Sequence, residues 1–490
     1  MSITRPLAEH ARRLPDEPAL LCEGRWLTRR ELDESVARLA AFIAAHTPPG
    51  SSVALDLPNG GALALLFLAT AAAGRNAQVL DATWPLATVR KVIAELKSAY
   101  VVTARTDLKA DAVVDGDETD VARSLGATKN FRRPPDPDPE SIFYTGFTSG
   151  TTGLPKGFCR SHRSWLASFA AAQEEFGISA ADCVYAPGPL SHSLPLYALA
   201  SGLHAGARVV LTRSFQPHAA LRTIVQTPAT VIYAVPTQLM LMIEAAEAGK
   251  TISHHVRLVL TSGSKWPPGI TKRLGKAFPN ALLAEFYGAS ELSFVTLARG
   301  DRRVPKNSVG RAFPGVTISI RDANGKSRGR GRTGFVFVES PLVFSGYATG
   351  GGNLMRAGEA ISAGDRGYLD EKGFLFLEGR ADRLIITSGR NVQAEEVEAV
   401  LMRHRQVADA AVIGVPDSKR GTRLVGVVNL RPNARVSTIS LTKHLRKVLP
   451  LYKVPTRFAT LVDWPRTRSG KTDFAKIEKL WAAEKCEAIT

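Results

Sequence analysis

The amino-acid sequence predicts an α/β protein with a large N-terminal domain and a small α+β C-terminal domain. Short, largely apolar runs, most of them rich in Val or Ile, alternate with segments of helical spacing through most of the chain before Ile318. Strands separated by glycines follow Ile318, and from Val392 onward the order is helix, strand, strand, helix. The first pattern is typical of buried parallel strands covered by helices on both faces. The large domain is therefore predicted to contain α/β subdomains followed by a β-rich subdomain.

The candidate strands of the α/β region are short apolar runs at 53–57, 77–80, 100–103, 208–211, 231–235 and 258–261. Apolar residues at helical spacing predict helices over 30–46, 219–226 and 238–248. Thr28 precedes the first of these helices and is a candidate N-cap. The longest uncharged, mainly apolar stretch, 62–73, is shorter than the ~18 residues that a membrane-spanning helix requires, so no membrane span is expected.

The β-rich subdomain is predicted from strand patterns at 317–321, 334–339 and 374–377. The elements predicted beyond it are a helix, two strands and a second helix, at 394–405, 407–415, 424–430 and 437–449. They form a unit of about a hundred residues, which is an ordinary size for a small domain. We place the boundary so that the N-terminal domain covers residues 1–381 and the C-terminal domain covers residues 382–490.

The charge balance of the chain is strongly positive. Its 490 residues include 63 Lys and Arg but 45 Asp and Glu, which gives a net charge of +18, and 44% of the residues are hydrophobic, enough for a sizeable core. Positive charge is compatible with nucleic acid or with anionic small molecules as partners. The basic residues are dispersed and no nucleic-acid recognition motif is evident. A nucleic-acid-binding protein is therefore only a distant alternative.

The cysteines and the first residues bear on the cellular compartment. The cysteines are scattered and form neither a disulfide framework nor a CxxC pair; they are Cys22, Cys159, Cys183 and Cys486. Charged residues interrupt the first 23 positions, so no signal-peptide hydrophobic region is predicted. Both observations favour a cytoplasmic location, where thiols are kept reduced.

The most informative segment runs from Thr148 to Gly157 and reads TSGTTGLPKG. Its four hydroxyl residues and three glycines offer N–H and O–H donors on a backbone that can fold over a polyphosphate. It is not a Walker A loop, because Lys156 is followed by Gly157 rather than by Ser or Thr. If only the composition of this segment is considered, a flexible surface linker is the alternative interpretation.

This segment resembles the phosphate loop of the adenylate-forming enzymes, which include acyl- and aryl-CoA synthetases, the adenylation domains of peptide synthetases and firefly luciferase. The resemblance extends over essentially the whole chain, because further motifs of the family follow in the family's order. It implies ATP as a substrate and a set of ATP-binding residues in the loop: Thr148, Ser149, Gly150, Thr151, Thr152 and Lys156.

The heptapeptide EFYGASE at 285–291 resembles the adenine motif of the same family. The resemblance implies that Tyr287 stacks on the adenine, that Ser290 meets the α-phosphate and that Glu291 helps to hold Mg²⁺. Ser290 stands where the family usually has Thr. The remaining residues assigned to the nucleotide site are Glu285, Phe286 and Gly288. Without the resemblance, a strand end with a paired glutamate would be the better interpretation.

The segment Ala363-Gly364-Asp365 is similar to the TGD motif of the family, with Ala363 in place of the usual Thr. The resemblance implies that Asp365 binds the ribose hydroxyls, a role that a carboxylate also plays in dinucleotide sites. Taken alone, Gly-Asp in a loop more often marks a turn.

The segment 378–392 resembles the hinge of the family and the residues that follow it. By that resemblance, Arg380 contacts the ribose or a phosphate and Asp382 is the pivot about which a mobile C-terminal domain rotates. The strand and turn through Gly389 and Arg390 would line the path of the thiol. A charged turn between two strands is the alternative.

The segment 465–472 resembles the family's C-terminal motif with the catalytic lysine, which implies that Lys471 is that residue. Its Ser-Gly-Lys-Thr string is not a second phosphate loop, because the required first glycine would fall at Pro465. Without the resemblance, a lysine in a basic tail is a solvated charge.

The acid substrate is predicted only as a class. The segment 188–194 stands in the place of an acyl-pocket motif and supplies His192 and Ser193, while Gly263 and Ser264 are further pocket candidates. No aspartate in 188–194 is available to pair with an α-ammonium group, which disfavours an α-amino acid. A fatty, aryl or short branched acid is left open.

The resemblance implies an ATP-dependent ligase that uses Mg²⁺ and coenzyme A. It would convert a fatty or aryl acid into an acyl-AMP, release pyrophosphate and transfer the acyl group to coenzyme A.

Residues 382–490 contain 20 Lys and Arg against 11 Asp and Glu; the basic side chains that could meet coenzyme A phosphates are Arg403, Arg405, Lys419, Arg420 and Arg423. An enzyme that loads the phosphopantetheine thiol of a carrier protein is the alternative, and a chain without a fused carrier domain favours coenzyme A. A luciferase-like oxidase is more distant, and the oligomeric state is open.

Overall fold

The computed structural model of the chain describes residues 1–114, 121–127, 130–148, 155–262, 269–349, 354–380, 383–387, 390–417, 421–467 and 470–490. The chain divides into two compact units. The N-terminal unit contains Met1–Thr317 and Val338–Asn353, and the C-terminal unit contains Ile318–Phe337 and Leu354–Thr490. The predicted boundary between residues 381 and 382 lies outside the described residues and stays a prediction.

The first sheet of the N-terminal unit has a parallel centre and antiparallel edges. Its strands, in spatial order, are β15 (Arg311–Ala312), β14 (Ser293–Arg299), β13 (Leu282–Ala289), β12 (Leu258–Thr261), β11 (Val231–Tyr233), β9 (Cys183–Tyr185), β10 (Arg208–Val210), β1 (Pro18–Cys22) and β2 (Arg25–Thr28). The strands from β13 to β1 run parallel, whereas β14 returns antiparallel to β13. The carboxyl end of β13 therefore leads directly into a tight turn.

The second sheet of the N-terminal unit also has parallel strands at its centre, with antiparallel strands at one edge. Its strands, in spatial order, are β18 (Gly346–Tyr347), β8 (Lys156–Ser161), β7 (Ile142–Thr148), β4 (Asn76–Val79), β3 (Ser52–Asp56), β5 (Tyr100–Thr103) and β6 (Ala112–Val113). The strands from β7 to β6 run parallel, and β7 and β8 form an antiparallel hairpin. This hairpin carries both ends of the glycine-rich segment.

The helices that cover these sheets are α1 (Pro6–Arg13), α2 (Arg29–His46), α3 (Gly61–Ala72), α4 (Leu86–Leu96), α5 (Val121–Ser124), α6 (His162–Phe176), α7 (Ser193–His204), α8 (Pro217–Gln226), α9 (Pro236–Gly249) and α10 (Ile270–Ala277). Thr28 caps α2 as predicted: its hydroxyl accepts from the Glu31 N–H at 3.2 Å, and the Glu31 carboxylate accepts from the Thr28 N–H at 2.8 Å. The uncharged stretch at 62–73 forms α3, which is buried along almost its whole length.

Helices long and apolar enough to cross a lipid bilayer are absent from the described part of the chain.

Aromatic rings join the two sheets of the N-terminal unit into one core. Phe67 of α3 lies edge-on to Tyr144 of β7, with ring centroids 5.8 Å apart. Trp165 of α6 contacts Tyr144 and Tyr197 of α7, each at 5.5 Å, and Tyr197 contacts Phe294 of β14 at 5.3 Å. Tilted and edge-to-face arrangements of this kind stabilise aromatic pairs beyond the burial of their surface. The hairpin β7–β8 and the hairpin β13–β14 are thus fixed to the same core.

The C-terminal unit contains three sheets. The first has the order β19 (Met355–Ala357), β20 (Ala360–Ser362), β17 (Gly334–Glu339), β21 (Asp365–Leu369) and β22 (Leu375–Arg380), with β16 (Thr317–Arg321) also paired to β17. The others are a hairpin and an α+β sheet: β23 (Leu384–Thr387) with β24 (Arg390–Gln393), and β25 (Val407–Asp417), β26 (Gly421–Leu430), β27 (Arg457–Thr460) and β28 (Glu487–Ala488). The helices are α11 (Ala394–Leu401), α12 (Thr438–Arg446) and α13 (Phe474–Ala482), and Leu451–Lys453 forms a 3-10 helix.

The predicted α/β fold with a separate small C-terminal domain is confirmed, but two helices are shorter than predicted, since the one predicted over 437–449 covers only Thr438–Arg446. The helix predicted over 394–405 ends at Leu401. Beyond it, the N–H of Arg403 donates to Val400 O and that of His404 to Leu401 O, which are the tighter bonds of a turn. Apolar residues continue beyond the end of the helix because the next strand, β25, begins already at Val407.

An ion pair fixes the residue that follows the predicted pivot. Arg383 donates to both carboxylate oxygens of Glu398 in α11, at 2.7 and 3.1 Å, and its guanidinium lies 3.4 Å from the centre of the Phe474 ring in α13. Glu398 also accepts the Val412 N–H of β25 at 2.7 Å. Burial raises the pKa of Glu398, while Arg383 opposes that shift. Arg383 is therefore tied to three elements of the C-terminal unit.

His162 at the start of α6 is a buried titratable group. It is 0% exposed, its ring stacks on Phe143 with centroids 4.6 Å apart, and its Nδ1 accepts the Ile3 N–H at 3.4 Å. Burial lowers the pKa of His162 from 6.5 to about 4, a shift that Asp136 opposes. The neutral ring is thus the form that the folded protein holds.

We expect acidification to destabilise the N-terminal unit through His162. Because its pKa is lower in the folded state, its contribution to stability is complete above pH 6.5 and is lost as the pH falls towards about 4. The free energy of unfolding should decrease by about 2 kcal/mol between pH 7 and pH 5 on account of this group. Urea unfolding at both pH values should show a smaller pH dependence in His162→Gln than in the wild type. The exposed His218→Gln serves as the control, and equal pH dependence in all three proteins would contradict the assignment.

Candidate active site

The hairpin β7–β8 brings the two ends of the glycine-rich segment together. Thr148 and Lys156 are directly opposite each other in the ladder. The next residue, Gly157, is fixed by the residues that follow β18: its N–H donates to Thr349 Oγ1 at 2.9 Å and its carbonyl accepts the Ala348 N–H at 2.8 Å. The sequence motif therefore begins and ends at one place in the fold, which is what a loop that encloses a ligand requires.

The strand β13 carries the predicted adenine motif. Successive side chains of a strand point to opposite faces, and Phe286 packs into the core against Phe294, with centroids 4.5 Å apart. Glu285 and Tyr287 are partly exposed on the other face. Phe286 therefore offers only its backbone to a nucleotide, whereas Tyr287 offers its ring.

A tight bulge follows Tyr287 and requires a glycine. The register of β13 and β14 shifts between Tyr287 and Gly288. A Cβ atom at Gly288 would lie 2.1 Å from the carbonyl oxygen of Ser293, closer than real Cβ contacts allow. Ser293 itself has a φ of 61°, in the left-handed region. The bulge re-aims the chain where Ser290 and Glu291 begin the turn.

The turn with Ser290 and Glu291 is held by segments that are distant in the sequence. The Phe344 N–H donates to the Glu291 carbonyl oxygen at 2.8 Å, and the Tyr347 hydroxyl donates to the Glu291 carboxylate at 2.8 Å. Tyr347 belongs to β18, which pairs with β8 next to Lys156 and Gly157. Through β18, the structure therefore brings the end of the predicted phosphate loop at Lys156 and Gly157 close to the predicted Mg²⁺ ligand.

The predicted acyl-pocket residues lie beside this turn. Ser193 is the first residue of α7, and its hydroxyl is 3.5 Å from that of Ser290. His192 precedes the helix as its N-cap residue. Asn59 fixes the preceding loop, because its side chain accepts the Leu190 N–H at 2.8 Å and donates to Thr212 O at 2.7 Å. Sequence reasoning did not single out Asn59, whose Asn-Gly context reads as an ordinary turn.

Arg160 is a second residue that sequence reasoning missed. Its side chain in β8 is 2% exposed, and its guanidinium donates to Leu342 O at 2.7 Å and to Ser290 O at 3.5 Å. Burial lowers the pKa of Arg160 to about 10, although Tyr197, Tyr144 and Glu291 oppose the shift. A second basic residue after Lys156, within the short strand that follows the loop, was the signal that could have identified it.

Asp365 and Arg380, predicted to bind ribose or phosphate, come together in the C-terminal unit. Asp365 is the first residue of β21, and Arg380 is the last residue of β22 and directly opposite to it. Gly379, which precedes Arg380 in β22, has a φ of 145°, and a Cβ there would lie 2.6 Å from a carboxylate oxygen of Glu395. The two residues that the resemblance assigned to the same part of the nucleotide are thus cross-strand neighbours.

Lys471 is held on a short turn of the C-terminal unit, and its side chain is exposed. Its carbonyl oxygen accepts the Thr467 N–H at 2.6 Å, and Thr472 forms a bridge with Arg466. Gly470 allows the turn through a φ of 79°. The backbone of Lys471 is therefore fixed, while its side chain extends outward.

Several predicted site residues lie outside the described part of the chain; they are Ser149, Gly150, Thr151, Thr152, Gly263, Ser264, Asp382 and Gly389. Arg390 is the first residue of β24. Among the candidates for coenzyme A, Arg403 and Arg405 are exposed and Arg423 pairs with Asp417, while Lys419 and Arg420 are outside the described residues.

The residues around Glu291 fit a magnesium ion that is bound together with nucleotide phosphates. Mg²⁺ is usually held by one or two carboxylates, with water and phosphate oxygens completing its shell. Glu291 supplies one partly exposed carboxylate, oriented by Tyr347. Groups of three or more His, Cys, Asp or Glu side chains that could hold a metal were not found among the described residues.

Comparison with known proteins agrees with the motifs. The family model "AMP-binding enzyme" matches residues 7–348, and "AMP-binding enzyme C-terminal domain" matches residues 396–471. An uncharacterized acyl–CoA ligase of Bacillus subtilis, YhfT, is 35% identical over 99% of both chains. A sulfoacetate–CoA ligase of Cupriavidus necator is 28% identical over 96% of both chains.

A solved structure shows the same architecture. The o-succinylbenzoate CoA synthetase of Bacillus subtilis, in complex with an acyl-adenylate, superimposes with a TM-score of 0.85 over 96% of this chain and 97% of that chain, at 25% identity. The full-length matches and the two family models cover both the large and the small domain. The chain therefore belongs to the AMP-binding, adenylate-forming enzyme family, and within it to the acyl-CoA synthetase type.

Proposed function

We propose that the protein is an AMP-forming acid–CoA ligase that activates a fatty or aryl acid with ATP and transfers the acyl group to coenzyme A. The observation that carries this proposal is the convergence of the β7–β8 hairpin, the Ser290–Glu291 turn and Ser193 at one edge of the N-terminal unit. The names of the similar ligases support the same class of reaction.

The first half-reaction joins two anions. A carboxylic acid is already ionised near neutral pH, since its pKa is about 4, so no general base is needed to make it a nucleophile. The carboxylate attacks the α-phosphorus of ATP, and pyrophosphate leaves. The remaining requirement is to offset the repulsion between carboxylate and phosphates, which fixed donors and positive charges achieve.

The residues of the N-terminal unit would bind and orient the nucleotide. Tyr287 would stack on the adenine, Ser290 would donate its hydroxyl to the α-phosphate, and Glu291 would hold Mg²⁺. The ion, when bound, neutralises phosphate charge. Thr148 and Lys156 would place the loop around the distal phosphates.

The residues of the C-terminal unit would complete the reaction. Asp365 and Arg380 would contact the ribose or a phosphate, and Lys471 would supply positive charge as the acyl-AMP forms. The second half-reaction is attack of a thiol on the carbonyl carbon of the acyl-AMP, with release of AMP. By the family resemblance, Asp382 is the pivot between the two half-reactions, and Gly389 and Arg390 line the thiol path.

A test of acid and acceptor uses the purified chain with ATP, Mg²⁺ and a panel of fatty, aryl, short branched and α-amino acids. We expect an acyl-CoA thioester, detected by mass spectrometry, with a fatty or aryl acid and none with α-amino acids. Acyl-AMP without any thioester would contradict coenzyme A as the acceptor and favour a carrier-protein thiol. Absence of acid-dependent exchange between ATP and labelled pyrophosphate would contradict adenylation itself.

Lys471→Ala should abolish adenylation and largely spare thioester formation from supplied acyl-AMP, because its charge is needed only while the anions are joined. We expect a loss of at least a hundredfold in pyrophosphate exchange, in line with the loss of a group that acts in the transition state. Lys476→Ala removes a nearby exposed lysine and is the matched control. Equal losses in both half-reactions of Lys471→Ala would contradict this role.

A further inference from the structure

Arg160 is a buried cation beside the candidate active site that the reaction scheme does not yet use. It lies in β8, four residues after Lys156. Among the described residues, it is the largest side chain that is fully buried. Its ladder partner in β7 is Tyr144, whose side chain is also buried. A charge at such a position is costly, because it has lost its hydration.

The charge of Arg160 has no carboxylate hydrogen-bond partner in the described part of the chain. Less buried arginines have such partners, as Arg257 has Asp182 and Arg383 has Glu398, whereas the buried Arg75 bonds to backbone carbonyl oxygens. Among the described residues, Arg160 instead donates to two carbonyl oxygens, and its Nε is buried without an acceptor. Glu291 is close enough to interact with it electrostatically.

The hydrogen bonds of Arg160 reach both segments that define the Ser290–Glu291 turn. One is to Ser290 O in the turn itself, and the other is to Leu342 O. Leu342 precedes Phe344 and Tyr347, which donate to the carbonyl oxygen and the carboxylate of Glu291. The guanidinium thus connects β8, the turn and the segment that orients the turn.

We propose that Arg160 is a positioning residue for adenylation, which holds the Ser290–Glu291 turn in place and supplies a fixed positive charge next to the site of the nucleotide phosphates. This inference rests on the proposed function. A planar guanidinium can satisfy two carbonyl oxygens at once and stays charged at neutral pH. Because burial protects its charge from solvent and salt, its effect on nearby anions is larger than that of a surface lysine.

The test compares Arg160→Met, which keeps the length of the side chain without its charge, with Arg160→Lys, which keeps the charge and loses the bidentate geometry. Arg75→Met is the matched control. Arg75 is likewise buried and bonded to backbone carbonyls, but those belong to Ala44, Thr47 and Ala73, and its Nε donates to Thr47 Oγ1.

The measurements are thermal unfolding, calorimetric binding of Mg²⁺–ATP, and pyrophosphate exchange as a function of Mg²⁺ concentration. We expect Arg160→Met to bind Mg²⁺–ATP about tenfold more weakly, because the Ser290–Glu291 turn loses its hydrogen bond to β8 and the site loses a nearby positive charge. Its half-saturating Mg²⁺ concentration should rise, and Arg160→Lys should recover part of both losses. Arg75→Met should lower the unfolding temperature and leave both properties unchanged.

The outcomes separate this inference from the proposed function. If Arg160→Met folds and retains wild-type binding and Mg²⁺ dependence, or if Arg75→Met changes both properties equally, the positioning role is wrong. If the wild type binds Mg²⁺–ATP but forms no acyl-AMP or thioester with any acid, the proposed ligase function is wrong, whereas the calorimetric comparison still decides the role of Arg160.

Discussion

The candidate site depends on how the β13–β14 turn is attached to the second sheet. The turn itself contributes Ser290 and Glu291, and within it the Leu292 N–H donates to Ala289 O at 3.0 Å. Further contacts come from β8, from Ser193 of α7 and from the segment before and within β18. Because β18 also pairs with β8, the turn and the glycine-rich hairpin share the same neighbours. The predicted nucleotide-binding residues of these two segments are therefore connected rather than separate.

The aromatic core explains why that assembly can be rigid. The hairpin β7–β8 and the strand β14 both contribute rings, or lie next to rings, in the same continuous cluster. Close packing of aromatic rings leaves little room for one strand to slide relative to another. Under the proposed function, polar groups held at the edge of such a core would need little reorganisation when charged ligands bind.

The sequence predicted the architecture well because the parallel strands are short, apolar and flanked by regular helices. Motif resemblance assigned candidate roles to Tyr287, Ser290 and Glu291, which lie close together in the sequence. It did not locate Arg160, Asn59 or Tyr347, since their importance arises from contacts with residues more than fifty positions away. The end of α11 was likewise misplaced, because apolar spacing alone does not distinguish the last helical turn from the strand that follows it. Hydrogen bonds between residues that are far apart in the chain leave no local pattern in the amino-acid sequence.

The division of the chain into two units bears on how charge is used. The N-terminal unit has its own buried cation at Arg160, whereas Lys471 is exposed and belongs to the C-terminal unit. A buried, immobile cation acts at every stage of a reaction, but a cation on a separate domain can be removed after the step that needs it. Under the proposed function, Lys471 is needed only for adenylation, and its place on the C-terminal unit is compatible with its withdrawal before thiol transfer. Arg160, in contrast, would stay beside the nucleotide through both half-reactions.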